Sequence, residues 1–244
     1  MPPLFSKEMI PNWLTLLNLF CGSLALVAVF QHHFGTAFLL LFIGGWADFF
    51  DGAVARALGV HSPIGKELDS LADMVSFGLV PGAMLYTLLD IGTGGAHDPA
   101  TGINWVAAPA FVLTLFSCLR LAKFNVDTRQ ADDFIGLATP SCTIFMTGLT
   151  LMYRNDTFGL GEWLTKPLVI YPIVLIFSYL LISEIRMFSF KLKSKAWKGN
   201  EQRFSFVILS LVLLAFLKEA ALPIAIIIYI LMALLWPVPQ IQKK

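Results

Sequence analysis

The sequence predicts an all-α integral membrane protein, a bundle of about eight transmembrane helices with a short N-terminal interfacial helix. Three observations carry this. Hydrophobic residues make up 57% of the 244-residue chain and charged residues 14%, with a mean hydropathy of +0.75, far from the balance of a water-soluble domain. The apolar residues gather into runs long enough to cross about 30 Å of hydrocarbon as helices. Lys and Arg collect on alternate connections between those runs. The formal net charge of +1 carries no information about partners; the placement of the charges does.

Residues 1–11 lack the pattern of a cleavable leader, and residues 6–10 read as the interfacial helix. Pro11-Asn12 then opens a first span over about residues 13–30, with Thr15 and Asn18 on one side of it, suited to interhelical hydrogen bonding or to a ligand. After His32-His33, a second span over about 34–57 carries Asp48, Asp51 and Arg56. Residues 58–63 reverse the chain, with His61 a solvated loop residue, and a third span over about 64–90 begins with Asp69 and Asp73. The Gly-rich stretch 91–104 reads as an exposed loop.

Further spans follow over about 105–124, 134–153 and 167–183. Residues 185–203 interleave Arg186, Lys191, Lys193, Lys195, Lys198 and Arg203 with aromatic and aliphatic residues. That pattern suits a basic cytoplasmic linker lying on anionic lipid and not a nucleic-acid site. Two shorter spans, about 204–217 and 222–236, close the chain and could equally form one broken hairpin. Cys21, Cys118 and Cys142 lie in separate apolar runs without metal-ligand spacing and read as small buried hydrophobes.

Asp48 and Asp51 share a helix face by their i, i+3 spacing, as Asp69 and Asp73 do by i, i+4. Two helices therefore aim four acids at one spot beside the bilayer. Acids there are costly and usually functional, and four together need cations; their hard oxygen ligands suit Mg²⁺, Mn²⁺ or Ca²⁺. Gly52, Ala55 and Gly65 leave bare backbone next to them, and Arg56 stands one turn beyond, placed to grip a phosphate. The small residues equally suit close helix packing, and Arg56 an interfacial anchor.

The pattern D-x-x-D-G-x-x-A-R-x8-G-x3-D-x3-D, filled by Asp48, Asp51, Gly52, Ala55, Arg56, Gly65, Asp69 and Asp73, resembles the signature of the CDP-alcohol phosphotransferases. The resemblance implies a membrane enzyme that moves a phosphatidyl group from a CDP-linked lipid to an alcohol and releases CMP. It makes Asp48, Asp51, Asp69 and Asp73 ligands of two Mg²⁺ or Mn²⁺ ions, with Asp73 also the general base. It sets Gly52, Ala55, Arg56, Gly65, Ser70, Thr15 and Asn18 around the CDP-lipid. It also implies a homodimer, and it divides a single catalytic domain into a six-helix core over 1–184, the linker and two additional spans over 204–236.

Pro11-Asn12 with residues 14–18, Glu67 through Asp73 with Val75-Ser76-Phe77-Gly78, and Arg120 through Asn125 followed by Phe134-Ile135-Gly136-Leu137 are similar to the phosphatidylserine synthase branch. This implies CDP-diacylglycerol and L-serine as substrates, with Arg120, Lys123 and Asn125 holding the serine. Lys123 stands where an arginine is expected and Ala138 where a proline is. Glycerol 3-phosphate or inositol phosphate as acceptor, and an ion transporter as a different class, are the alternatives.

With the N-terminus inside, only Arg154, Lys166 and Lys218 of the 17 Lys and Arg residues fall outside. The acids then face the cytoplasm, which fits a prokaryotic inner membrane.

Overall fold

A computed structural model of the chain describes Lys7, Trp197 and residues 9–60, 63–127, 134–188 and 200–236. The expected interfacial helix, His61 and the cations Arg129, Lys191, Lys193, Lys195 and Lys198 lie outside the described residues, apart from Lys7 and the first residues of the first helix. The helices are α1 (Met9–Phe30), α2 (Phe34–Leu58), α3 (Pro63–Asp73), α4 (Val80–Gly92), α5 (Val112–Val126), α6 (Thr139–Arg154), α7 (Pro167–Ile182), α8 (Glu201–Leu217) and α9 (Ala221–Leu235). Short strands β1 (Phe134–Ile135) and β2 (Arg186–Met187) pair antiparallel. The protein is an all-α membrane protein, with α1, α2, the run Pro63–Gly92 and the run Ala108–Val126 each long and apolar enough to cross a bilayer.

The centre belongs to α4 and α6. Most of α6 is buried, from Thr139, Cys142 and Thr143 through Phe145 to Met152, with Ile144 its exposed apolar residue, and its threonine side chains are buried. α1, α2 and α7 instead expose residues such as Phe20, Phe42, Trp46 and Leu175, as suits helices whose outer faces meet acyl chains.

Three local features depart from the spans read in the sequence. The run 64–90 is not a uniform helix, because residues Met74–Leu79 form a π-helical turn between α3 and α4. Pro81 explains it. Its missing N–H and its ring deny Phe77 C=O the usual partner, so Val80 N–H reaches back to Val75 C=O. Thr143 Oγ1 donates to the Phe77 carbonyl (3.2 Å) and Thr114 Oγ1 to that of Gly78 (3.0 Å).

The second departure lies before α6. The span expected from residue 134 starts at Thr139, since Phe134–Ile135 pair with Arg186–Met187 and Gly136 turns left-handed (φ 76°). A side chain at Gly136 would stand 2.7 Å from Leu181 O, so only glycine lets this segment pass beneath the last turn of α7.

The basic segment is the third. It does not lie wholly on the surface: Arg186 is exposed, but Met187 and Phe188 are buried in the core, and Arg203 is buried too. At the C-terminus, Lys218 (φ 49°) breaks the apolar run. Gln202 Nε2 donates to Met232 O (3.2 Å) and Trp236 O (3.0 Å), which folds α8 and α9 into an antiparallel hairpin.

Candidate active site

α2 and α3 deliver the acids. α2 ends at Gly59 (φ 64°), where Gly59 N–H bonds Arg56 O (3.3 Å) and Val60 N–H bonds Ala55 O (3.1 Å), a closure that glycine adopts without strain. Pro63 opens α3 at a position where its missing N–H costs nothing. The reversal packs α3 against α1 and brings the Asp69 carboxylate to those of Asp48 and Asp51. Counted from Phe34, the about 20 residues that cross the hydrocarbon place Asp51 at its far boundary.

Asp48, Asp51 and Asp69 each present a carboxylate oxygen within 4.8 Å of the others. The Asp48 carboxyl also stands against that of Asp73. Asp51 accepts a hydrogen bond from Thr15 Oγ1 at 2.5 Å, and Asp73 one from Asn18 Nδ2 at 3.2 Å. α1 is therefore the wall that aims both. Among the described residues none of the four acids forms an ion pair with Lys or Arg. Arg56 folds over the bare Gly52 toward Asp51, and Arg120 lies within electrostatic reach of Asp73. The donor set is carboxylate oxygen throughout, as a hard divalent cation requires.

Two cavities meet at the acids. A cleft of about 270 Å³ is lined by Thr15, Asp51, Gly52, Ala55, Gly65 and Asp69, with Asn12 and Lys66 at its rim. An apolar cavity of about 660 Å³ runs between α2 and α6 from Asp48 and Pro140 to Phe38, Thr147 and Leu222. One is polar and floored by backbone; the other is a trough open to lipid.

The family model for CDP-alcohol phosphatidyltransferases matches residues 8–178, which include every residue of the acid cluster and the polar cleft. The chain belongs to that family. Among characterised relatives, it is 34% identical over 187 residues to a CDP-diacylglycerol–serine O-phosphatidyltransferase of Bacillus subtilis, covering 75% of this chain and 91% of that protein. It is 30% identical over 191 residues to the protein of that name in Helicobacter pylori, covering 78% and 76%. For the Mycobacterium leprae protein of the same name the figures are 32% over 164 residues, covering 64% of this chain and half of that one.

Within this CDP-alcohol phosphatidyltransferase, Thr15, Gly52, Ala55 and Gly65 line the polar cleft and Arg56 borders it. The residues expected around the substrates are not all free to reach them. Asn18 has no exposed surface and its Nδ2 donates to Asp73, so it orients an acid. Ser70 Oγ donates to Lys66 O (3.2 Å) and accepts from Asn125 Nδ2 (2.8 Å), which clamps α5 to α3. Lys123 pairs with Glu184 at 2.6 Å; of the three expected serine contacts, Arg120 alone is turned toward the acids. Lys66 and Asn12 were the residues spacing did not single out as site-lining. Their signal is position, at the first turns of α3 and α1.

Proposed function

We propose that the protein transfers the phosphatidyl group of CDP-diacylglycerol to L-serine, giving phosphatidylserine and CMP, on the cytoplasmic side of a prokaryotic inner membrane. The observation that carries this is the convergence of Asp48, Asp51 and Asp69, with Asp73 alongside, at the junction of a polar cleft and an apolar trough. A CDP-lipid has that two-ended shape. The cytidine diphosphate end suits the cleft beside Gly52, Ala55 and Gly65, where the backbone is bare enough for close approach; the acyl chains suit the trough.

Asp48, Asp51, Asp69 and Asp73 would hold Mg²⁺ or Mn²⁺, in one or two ions. When bound, such cations neutralise charge on a diphosphate and on the departing CMP. The chain's own groups do the rest. Asp73, fixed by Asn18, takes the proton of the serine hydroxyl as that oxygen bonds the phosphatidyl phosphorus and the bond from phosphorus to the CMP oxygen breaks. Arg56 steadies the diphosphate.

Arg120 holds the serine carboxylate. Lys123 pairs with Glu184, so of the expected serine contacts Arg120 is the cation left to face the acceptor, and a single guanidinium is a match for a monocarboxylate and a poor one for a phosphate dianion. The names of the relatives favour the same acceptor. The homodimer rests on family membership, and cross-linking in native membranes tests it.

The deciding experiment measures CMP release from CDP-diacylglycerol by the purified protein with Mg²⁺ or Mn²⁺, comparing L-serine, glycerol 3-phosphate and inositol phosphate. Serine-dependent release that is lost in Asp73→Asn and on chelation is the expected result. Release with glycerol 3-phosphate or inositol phosphate alone overturns the acceptor.

A further inference from the structure

The hairpin α8–α9 lies beyond the residues that match the family, yet it reaches the site. We propose that Tyr229, on α9, is a positioning residue for Arg120, and that the hairpin thereby sets affinity for the acceptor. This rests on the reading of Arg120 as the group that binds the acceptor carboxylate.

The connection runs through short contacts. Arg120 is buried, its Nε donates to Leu137 O (3.3 Å), and its guanidinium stacks on the Phe124 ring at 4.8 Å. Leu137 ends a segment that is pinned by its own N–H to Leu180 O (2.9 Å), by Gly136 N–H to Ile185 O (2.8 Å) and by the pairing of Phe134 and Ile135 with Met187 and Arg186. β2 therefore fixes the carbonyl that fixes Arg120. The residue after β2, Phe188, is held in turn from the hairpin: Tyr229 Oη donates to Phe188 O at 2.9 Å, and the rings of Phe188, Phe206 and Tyr229 pack with centroids 4.7 to 5.9 Å apart.

Tyr229 also lies within electrostatic reach of the Arg120 guanidinium, and both side chains are buried. The phenol oxygen thus does two things in one place. It anchors the strand that carries Arg120's support, and it offers that cation a neighbouring dipole. Without the hydroxyl, Phe188 O loses this donor inside the core and β2 is free to shift by fractions of an ångström. A guanidinium aimed at one carboxylate is sensitive to shifts of that size. Asp48, Asp51, Asp69 and Asp73 sit on α2 and α3, which do not depend on β2, so donor handling and the chemical step stay intact.

The test is the steady-state kinetics of the full-length Tyr229→Phe protein, with serine and CDP-diacylglycerol varied separately. A net hydrogen bond is worth a factor of about five in an equilibrium. The KM for serine should rise by about that factor, while kcat and the KM for CDP-diacylglycerol stay within about twofold of wild type. Tyr171→Phe is the comparison. It deletes a hydroxyl bonded to Val106 O (2.6 Å) away from the acids, and it should leave all three parameters unchanged.

In an Arg120→Lys background, which retains charge but lacks the fork, Tyr229→Phe should add no further rise in serine KM. An unchanged serine KM in Tyr229→Phe, or additive effects of the two substitutions, overturns the proposal and leaves the transferase reading standing. Wild-type protein that releases CMP without dependence on serine overturns that reading and this role with it.

Discussion

Thr15 donates to Asp51 Oδ2 at 2.5 Å, and both residues are nearly closed to solvent. A carboxylate oxygen left there without its donor costs about 1–3 kcal/mol. Thr15→Val keeps the shape and removes the donor. The Mg²⁺ concentration for half-maximal CMP release should therefore rise by about tenfold, measured by titrating the metal at saturating lipid. Asn18 acts on the other acid, holding Asp73 Oδ1 at 3.2 Å. Asn18→Ala frees that carboxyl to rotate, and kcat should fall by about tenfold or more while the KM for CDP-diacylglycerol changes little. An equal loss in both parameters would show that Asn18 touches the donor after all. Spacing alone put Thr15 and Asn18 on the same footing, because it fixes a helix face and not the depth at which a side chain stops.

At the scale of elements, the π-helical turn Met74–Leu79 follows directly on Asp73. Thr143 and Thr114 cap the carbonyls of Phe77 and Gly78, so α6 and α5 hold a widened turn that would otherwise leave polar backbone unsatisfied in an apolar core. Thr143→Val should lower stability by about 1 kcal/mol, read as a drop in thermal midpoint in detergent, with a larger proportional loss of activity. Gly136→Ala should cost more. It combines a left-handed backbone with a Cβ 2.7 Å from Leu181 O and belongs with the strained substitutions of about 1–3 kcal/mol. A Gly136→Ala protein as stable as wild type would mean that β1 can leave β2 freely. The sequence showed Pro81 and Gly136 openly, but each sat inside an apolar run. Whether a proline bends, widens or ends such a run depends on the donors that neighbouring helices supply.

For the whole molecule, the arrangement of charge gives the orientation its test. The acids sit at the turn between α2 and α3, at the opposite end of the bundle from Arg154, which ends α6, and Lys166, which precedes α7. In protein whose three cysteines are replaced, a cysteine at exposed Lys66 should react with a membrane-impermeant reagent only from the cytoplasmic side. One at exposed Thr101 should react only from the other. Labelling of both from one side would invert or break the topology. The trough between α2 and α6 belongs to this scale too, since its walls come from α2, α6 and α9 together.

Composition, the lengths of the apolar runs and the eight fixed positions from Asp48 to Asp73 determined an α-helical membrane protein of this family and singled out its four acids. Those features are local. Hydropathy decides where a helix lies, and spacing within one turn decides which residues share a face. Other assignments needed partners from distant parts of the chain: Asn18 behind Asp73, Lys123 drawn off by Glu184, Ser70 tied to Asn125, and Tyr229 closing on Phe188. Every cation and amide along the sequence looks equally free. Only packing shows which of them a buried neighbour has already claimed, because an unpaired polar group costs too much in an apolar core to be left alone.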